Sequence, residues 1–318
     1  MERGMPSIAM ESWPAIAPMG GYVDAGLATG RLFAYDSESV AHRGAIDDAT
    51  RAAAARRRPT ILLIHGLGDE ADSWRHVIPL LAARARVVAL DLPGFGRSES
   101  RCRVGVSACV RAVLGLLDAL GADRAMLVGS SLGGVISEIV TFRAPERCSG
   151  LVLVDGSLPG LKASPDAWRG AVPIIGERGY RSLRGRPEAA YRSLGPYYAD
   201  LGALPEEDRA FLRRRVAERV ESDSQTRAYF SLFRSLALWT TTRSGFFARG
   251  LRSFAGPVLA AWGEFDHIAD PASADAPAAL APRGRKATIA GAGHLPQQER
   301  PRELADLILG VASEAAEA

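Results

Sequence analysis

From Thr60 to Asp155 the chain repeats one pattern: a short apolar run, a turn, then a helical stretch. The runs are ILLIH (61–65), RVVALD (86–91), AMLVG (125–129) and LVLVD (151–155), and the stretches at 72–84, 107–120 and 132–143 read as helices. Strands that are apolar throughout and alternate with helices predict a parallel sheet buried on both faces. After residue 256 the pattern returns as PVLAAWG (257–263), a helix near 272–280, KATIA (286–290) and a helix over 299–315. Upstream, GRLFAYD (30–36) and SVAHR (39–43) predict an antiparallel pair at the sheet edge, followed by an exposed linker over 46–58. The expected fold class is α/β, with a mostly parallel eight-stranded sheet flanked by helices.

Residues 156–256 break the pattern. They hold 13 of the chain's 22 aromatic residues and 17 basic against 10 acidic residues, with no strand-like run. Segments 209–221 and 225–238 read as amphipathic helices. A helical block whose two ends return to one sheet is a cap on that sheet rather than an independent domain. The expected organisation is an N-terminal extension over 1–29, a core over 30–155 and 257–318, and a cap over 156–256.

Composition narrows the function classes. With 318 residues, 47% hydrophobic and 24% charged, the chain is an ordinary globular protein, which excludes collagen, coiled coil and disorder. Its longest uncharged run, 125–137, has 13 residues, short of the roughly 18 that a membrane span requires. Glu11, Pro14 and Pro18 interrupt the N-terminal stretch, so no export signal is expected. Cys102, Cys109 and Cys148 have no metal-ligand spacing and predict free thiols in a reducing, cytoplasmic setting. The net charge is +3, and nearly all basic residues are arginines, Lys162 and Lys286 being the two lysines. The densest runs, 55–58 and 213–215, read as a solvated loop and a solvated helix face, so no nucleic-acid partner is expected.

The chemistry centres on Gly129-Ser130-Ser131-Leu132-Gly133, a G-x-S-x-G pattern set between a buried strand and a helix. That strand–turn–helix setting makes a nucleophile elbow and stands Ser131 at a helix N-terminus, where developing negative charge is favoured. A serine hydroxyl needs a base. His42 lies on an edge strand, His76 on a helix surface, His267 in a loop, and His65 closes a strand where it shapes the next turn. His294, in the loop after the last strand, is the best base, because such sheets place their sites at the carboxyl ends of strands. The acid that orients it is Asp266 in GEFDH, with Asp155 and then Glu264 as rivals; the order Ser…Asp…His favours Asp266. Two N–H donors must stabilise the oxyanion. These are expected from Leu132, directly after the nucleophile, and from Leu67 in the loop after ILLIH, with Gly68 as its alternative.

Four segments, ILLIHGLGDEADSW (61–74), ALDLPGFGRS (89–98), LVGSSLGG (127–134) and GAGHLPQQERP (291–301), together with the looser GEFDHI (263–268), resemble the α/β-hydrolase fold superfamily in its cap-containing branch. The resemblance implies a serine hydrolase without metal or cofactor, and makes Phe95 and Arg97 packing residues near the site entrance. Ser131 stands where epoxide hydrolases and dehalogenases carry Asp. HGLGD differs from the HGGPG of proline iminopeptidases, from the HGxGPG usual in C–C hydrolases and from the HGGG oxyanion loop. Hydrolysis of a carboxylic ester or lactone remains. The alternatives are a C–C hydrolase, a perhydrolase or an acyltransferase on the same triad, or a ligand-binding member that does not catalyse. The substrate is a small molecule, met by an apolar wall for which Trp168, Tyr229, Phe233 and Trp239 of the cap are the candidates.

Overall fold

Runs of Val, Leu and Ile long enough for one strand and no helix set the sheet. The computed structural model describes residues 10–39, 58–162 and 175–317. Its strands are β1 Gly20–Val23, β2 Leu32–Asp36, β3 Thr60–Ile64, β4 Arg86–Leu90, β5 Ala125–Ser130, β6 Cys148–Val154, β7 Val258–Gly263 and β8 Gly284–Ile289. They form one sheet in the order β1-β2-β4-β3-β5-β6-β7-β8. β1 and β2 pair antiparallel, as do β2 and β4, and the remaining pairs are parallel. Eight strands are present, but the sheet starts at Gly20, inside the segment expected to be an extension. β1 takes the place beside β2 expected for 39–43, a segment that beyond Ser39 lies outside the described residues.

Successive strand side chains point to opposite faces, so each strand feeds two cores. Leu62, Ile64, Val88, Leu90 and Leu127 join one, against α2 (Val106–Ala119) and α3 (Leu132–Arg143). Ile61, Leu63, Val87, Ala89 and Val128 join the other, against α1 (Val77–Ala82) and the C-terminal helix Pro301–Ala316. Trp13, Ile16 and Met19 pack into this second core, so the N-terminal segment is part of the fold. Cutting one of the buried leucines or isoleucines back to Ala costs about 2–5 kcal/mol.

Between β6 and β7 the described chain is helical: α4 Ile175–Arg181, α5 Pro187–Arg192, α6 Glu206–Glu221, α7 Asp223–Thr242 and α8 Ser244–Ser253. Tyr191, Tyr198, Leu204, Leu212, Val216 and Val220 give this insertion a small core of its own. α9 (Asp275–Leu280), α10 (Pro296–Glu299) and α11 (Pro301–Ala316) complete the fold. The helix expected over 299–315 is split because Arg300, which precedes Pro301, leaves the helical region at ψ 54°. The helix expected over 72–84 is likewise a 3₁₀ turn, Ala71–Trp74, and then α1. No helix of the described residues is long and apolar enough to cross a membrane.

The order of strands reverses about β3, which has β4 on one side and β5 on the other. Crevices at the carboxyl ends of strands beside such a point are where open α/β sheets bind ligands.

Candidate active site

Ser131 sits in the tight turn from β5 into α3 with φ 53° and ψ −118°. Such a backbone is strained for any residue but glycine, and strain of this kind collects at functional sites. Two contacts hold it: the Ser131 N–H donates to Val154 O at 2.8 Å, and the Gly134 N–H to Ser131 O at 2.9 Å. Gly133 makes the turn fit, because a Cβ there would stand 2.2 Å from the Ile64 carbonyl oxygen. Neither the Leu132 N–H, first in α3, nor the Leu67 N–H is drawn into a hydrogen bond among the described residues. Gly66, next to Leu67, approaches Ser131 so closely that a Cβ there would lie 3.3 Å from the serine Cβ.

The loops after β7 and β8 bring Asp266 and His294 together. His294 Nδ1 lies 2.8 Å from Asp266 Oδ2, and both residues are buried. Asp266 Oδ1 accepts the N–H groups of Ile268 and Ala269. Burial works against this carboxylate's charge, but His294 and the Ala269 N–H outweigh it and hold the carboxyl below its ordinary range. Asp155 lies in the same cluster: its Oδ1 accepts the Gly263 N–H at 2.8 Å, and its carboxyl is also in hydrogen-bond contact with that of Asp266. Burial and then the charge of Asp266 push the Asp155 carboxyl well above its ordinary range. Like Ser131, Asp155 has a positive φ, 50°. Asp155, Asp266 and His294 also form the group among the described residues whose donor atoms are close enough to share a metal ion, all within 4.8 Å. His294 Nδ1 and Asp266 Oδ2 are already spent on each other.

The other histidines are engaged elsewhere or outside this cluster. His65 Nε2 accepts the Leu92 N–H, which leaves Nδ1 to donate to Gly66 O at 2.7 Å and shape the turn. His76 reaches Asp208 Oδ1 at 2.7 Å, His267 is exposed, and His42 lies outside the described residues. Phe95 and Arg97 are both buried, Arg97 between Asp72 and Asp91.

The helical insertion touches both loops of the site. His294 N–H donates to Tyr197 O at 2.9 Å. Glu299 accepts from Gly293 N–H with one oxygen and from Ala199 N–H with the other, tying the histidine loop to the segment before α6. On the opposite loop, Glu70 is wholly buried and ion-paired with Arg215 and Arg219, and Arg219 also reaches Asp69. Burial opposes the charge of Glu70, but the two guanidinium groups hold its carboxyl well below the ordinary range. The expectation of a solvated face over 213–215 holds at Arg214, which is exposed, but is corrected at Arg215, which is 1% exposed and ion-pairs with Glu70.

Of the expected pocket residues, Tyr229 lies against the loop of Leu67. A Cβ on Gly68 would meet its ring at 2.9 Å, and φ +74° at Gly68 independently calls for glycine. Phe233 packs beside Tyr229, centroids 6.0 Å apart. Trp239 instead packs edge-on against Phe246 and Phe247 under Arg143 and Arg243, joining α7 to α8. Trp168 lies outside the described residues. Two tyrosines escaped the sequence reading: Tyr180, stacked on Tyr229 at 5.4 Å, and Tyr197, tilted against His294 at 5.9 Å. Only the general concentration of aromatics in this block hinted at them.

Known proteins carry the same architecture. A family model described as the alpha/beta hydrolase fold matches residues 59–301. The chain is 30% identical over 244 residues to the pimeloyl-acyl-carrier-protein methyl ester esterase of Edwardsiella ictaluri, covering 76% of this chain and 88% of that protein. It is 32% identical over 252 residues to the dihydrolipoyllysine-residue acetyltransferase component of the acetoin cleaving system of Pseudomonas putida. That match covers 77% of this chain and 60% of the longer relative. Among solved structures it is similar to a bacterial membrane phospholipase A, with a TM-score of 0.68 and 26% identity over 94% of this chain and 87% of that one. The chain belongs to the α/β-hydrolase fold family.

Proposed function

We propose that this protein is a serine hydrolase that cleaves carboxylic esters, lactones included, of small to medium size. One arrangement carries the reading: a serine strained to φ 53° at the head of α3 shares the strands' carboxyl edge with a buried His294–Asp266 pair. Ser131 Oγ attacks the ester carbonyl carbon and gives its proton to His294 Nε2, the ring nitrogen turned away from Asp266. Asp266 holds the ring through Nδ1 and steadies the imidazolium. The N–H groups of Leu67 and Leu132 take the oxyanion. Collapse breaks the carbonyl–oxygen bond, and the alcohol leaves with the proton from His294. Water, deprotonated by His294, then attacks the acyl carbon; the bond to Ser131 Oγ breaks, the serine takes the proton back from His294, and the acid is released. The helical insertion acts as a cap that closes this end of the sheet and selects among esters. The similar protein of Edwardsiella ictaluri is by its name a methyl ester esterase.

Turnover of p-nitrophenyl acetate and butyrate, with mass-spectrometric mapping of a fluorophosphonate label, tests the reading. The label should sit on Ser131. Ser131→Ala should lower turnover by about 10⁴-fold or more with an unchanged melting temperature, because the backbone and not the hydroxyl holds the turn. Absence of both turnover and labelling would leave a ligand-binding member of the fold.

A further inference from the structure

The cap side of the site is less apolar than the aromatic count suggests. Tyr180, Tyr197 and Tyr229 are each partly accessible, yet each phenol is pushed above its ordinary range chiefly by burial. Each ring is therefore largely covered by the fold while staying within reach of solvent. The three belong together. Tyr180 stacks on Tyr229 at 5.4 Å, and Tyr197 and Tyr180 both disfavour ionisation of Tyr229. Their position is fixed from both sides of the nucleophile, since Tyr197 leans on His294 and Tyr229 covers Gly68, two residues beyond the Gly66 that abuts Ser131. No hydrogen bond from any of the three hydroxyls to a described residue is present, whereas the neighbouring Tyr198 donates to Gln298 at 3.0 Å. None of the three hydroxyls is shut away from water, so a substrate oxygen can take the place of the water that each would otherwise bind.

We propose that Tyr180, Tyr197 and Tyr229 form a hydroxyl cluster beside Ser131 that recognises a second, hydrogen-bond-accepting oxygen of the substrate. The preferred esters are then oxygenated ones, with a keto, hydroxy or alkoxy group in the acyl or alcohol part, over plain alkyl esters of the same length. The apolar wall expected from sequence becomes an aromatic wall with a polar tip. This inference rests on the hydrolase reading for its setting. A hydroxyl placed for a substrate oxygen discriminates more sharply than an apolar pocket does, because the analogue without that oxygen leaves the donor unpaired.

Two substrate pairs test it: p-nitrophenyl 4-oxopentanoate against pentanoate, and 2-methoxyethyl butyrate against butyl butyrate, each corrected for its rate with hydroxide alone. In at least one pair kcat/KM should favour the oxygenated ester by about tenfold or more. Replacing the three tyrosines together by Phe, which keeps the rings, should bring that ratio close to one. Single Tyr→Phe changes should lower it by about 3–10-fold, the worth of one neutral hydrogen bond. Tyr191→Phe, in the cap's own core, should leave it unchanged. A wild-type ratio near one in both pairs, or a ratio that survives the triple change, overturns the inference while leaving the serine mechanism standing. Calorimetric binding to Ser131→Ala decides independently of turnover: 4-oxopentanoate and 2-methoxyethanol should bind more tightly than pentanoate and butanol in the same pair, and equal binding in both overturns it.

Discussion

Glu70 and Glu138 are both fully buried, in the two regions that flank Ser131, and the protein treats them in opposite ways. Glu70, in the loop after β3, faces two arginines of α6 and is held well below its ordinary range. Glu138, in the helix that begins after Ser131, has no cation. Ser157 Oγ and the Leu158 N–H bond to it, yet burial still pushes it up to about 8. A related contrast recurs beside Ser131, where Asp266 has His294 and is lowered, and Asp155, buried against the charge of Asp266, is raised. Burial alone favours the neutral acid, and at Glu70 the two buried guanidinium groups reverse that preference.

The largest test of that contrast is catalytic. Asp266→Asn should cost about 10⁴-fold in kcat, since the amide cannot steady an imidazolium. Asp155→Asn should cost less than about tenfold, because a side-chain amide can still accept the Gly263 N–H and is neutral, as the raised acid already is. A reversal of the two costs, measured on one ester, would transfer the orienting role to Asp155.

The next test is structural. Glu70→Gln leaves Arg215 and Arg219 short of a counter-charge in a buried site, a change worth about 3–5 kcal/mol of stability. Chemical denaturation should show that loss. Replacing Glu70, Arg215 and Arg219 together by apolar residues of similar volume should recover most of it. If Glu70→Gln unfolds no more easily than wild type, the cap is not docked through this pair.

These pairings explain what could be read from the chain and what could not. ILLIH, RVVAL, AMLVG and LVLV announce themselves because a buried strand is written in consecutive residues. β1 does not: GGYV is four residues long and exposed in its middle, so neither length nor period marks it. Ser131, Asp266 and His294 could be singled out as candidates because each follows a legible strand. Arg215 is 145 residues from Glu70, and Tyr197 is on the other side of α6 to α9 from His294, so no local pattern joins either pair. A run of three arginines on a helix looks solvated until its partner is known.

The smallest effect belongs to Glu138, and it has a sign that depends on pH. With its carboxyl at about 8 in the folded protein and 4.5 as the ordinary value, the folded state holds a proton that the unfolded chain releases between those limits. Stability from the neutral acid is therefore complete below about pH 4.5, and it is lost as pH rises toward 8. At pH 7 the penalty is of order 3 kcal/mol. Glu138→Gln should remove it without loss of packing, since the amide can accept the Leu158 N–H and donate to Ser157 Oγ. Melting curves of the two proteins should coincide near pH 4 and separate by a few degrees in favour of Gln at pH 8. Parallel curves across that range would mean that Glu138 titrates alike in the folded and the unfolded protein. The contrast with Glu70→Gln, where the same substitution destabilises the protein, is the sharpest form of the comparison, because only the presence of the arginines differs in kind.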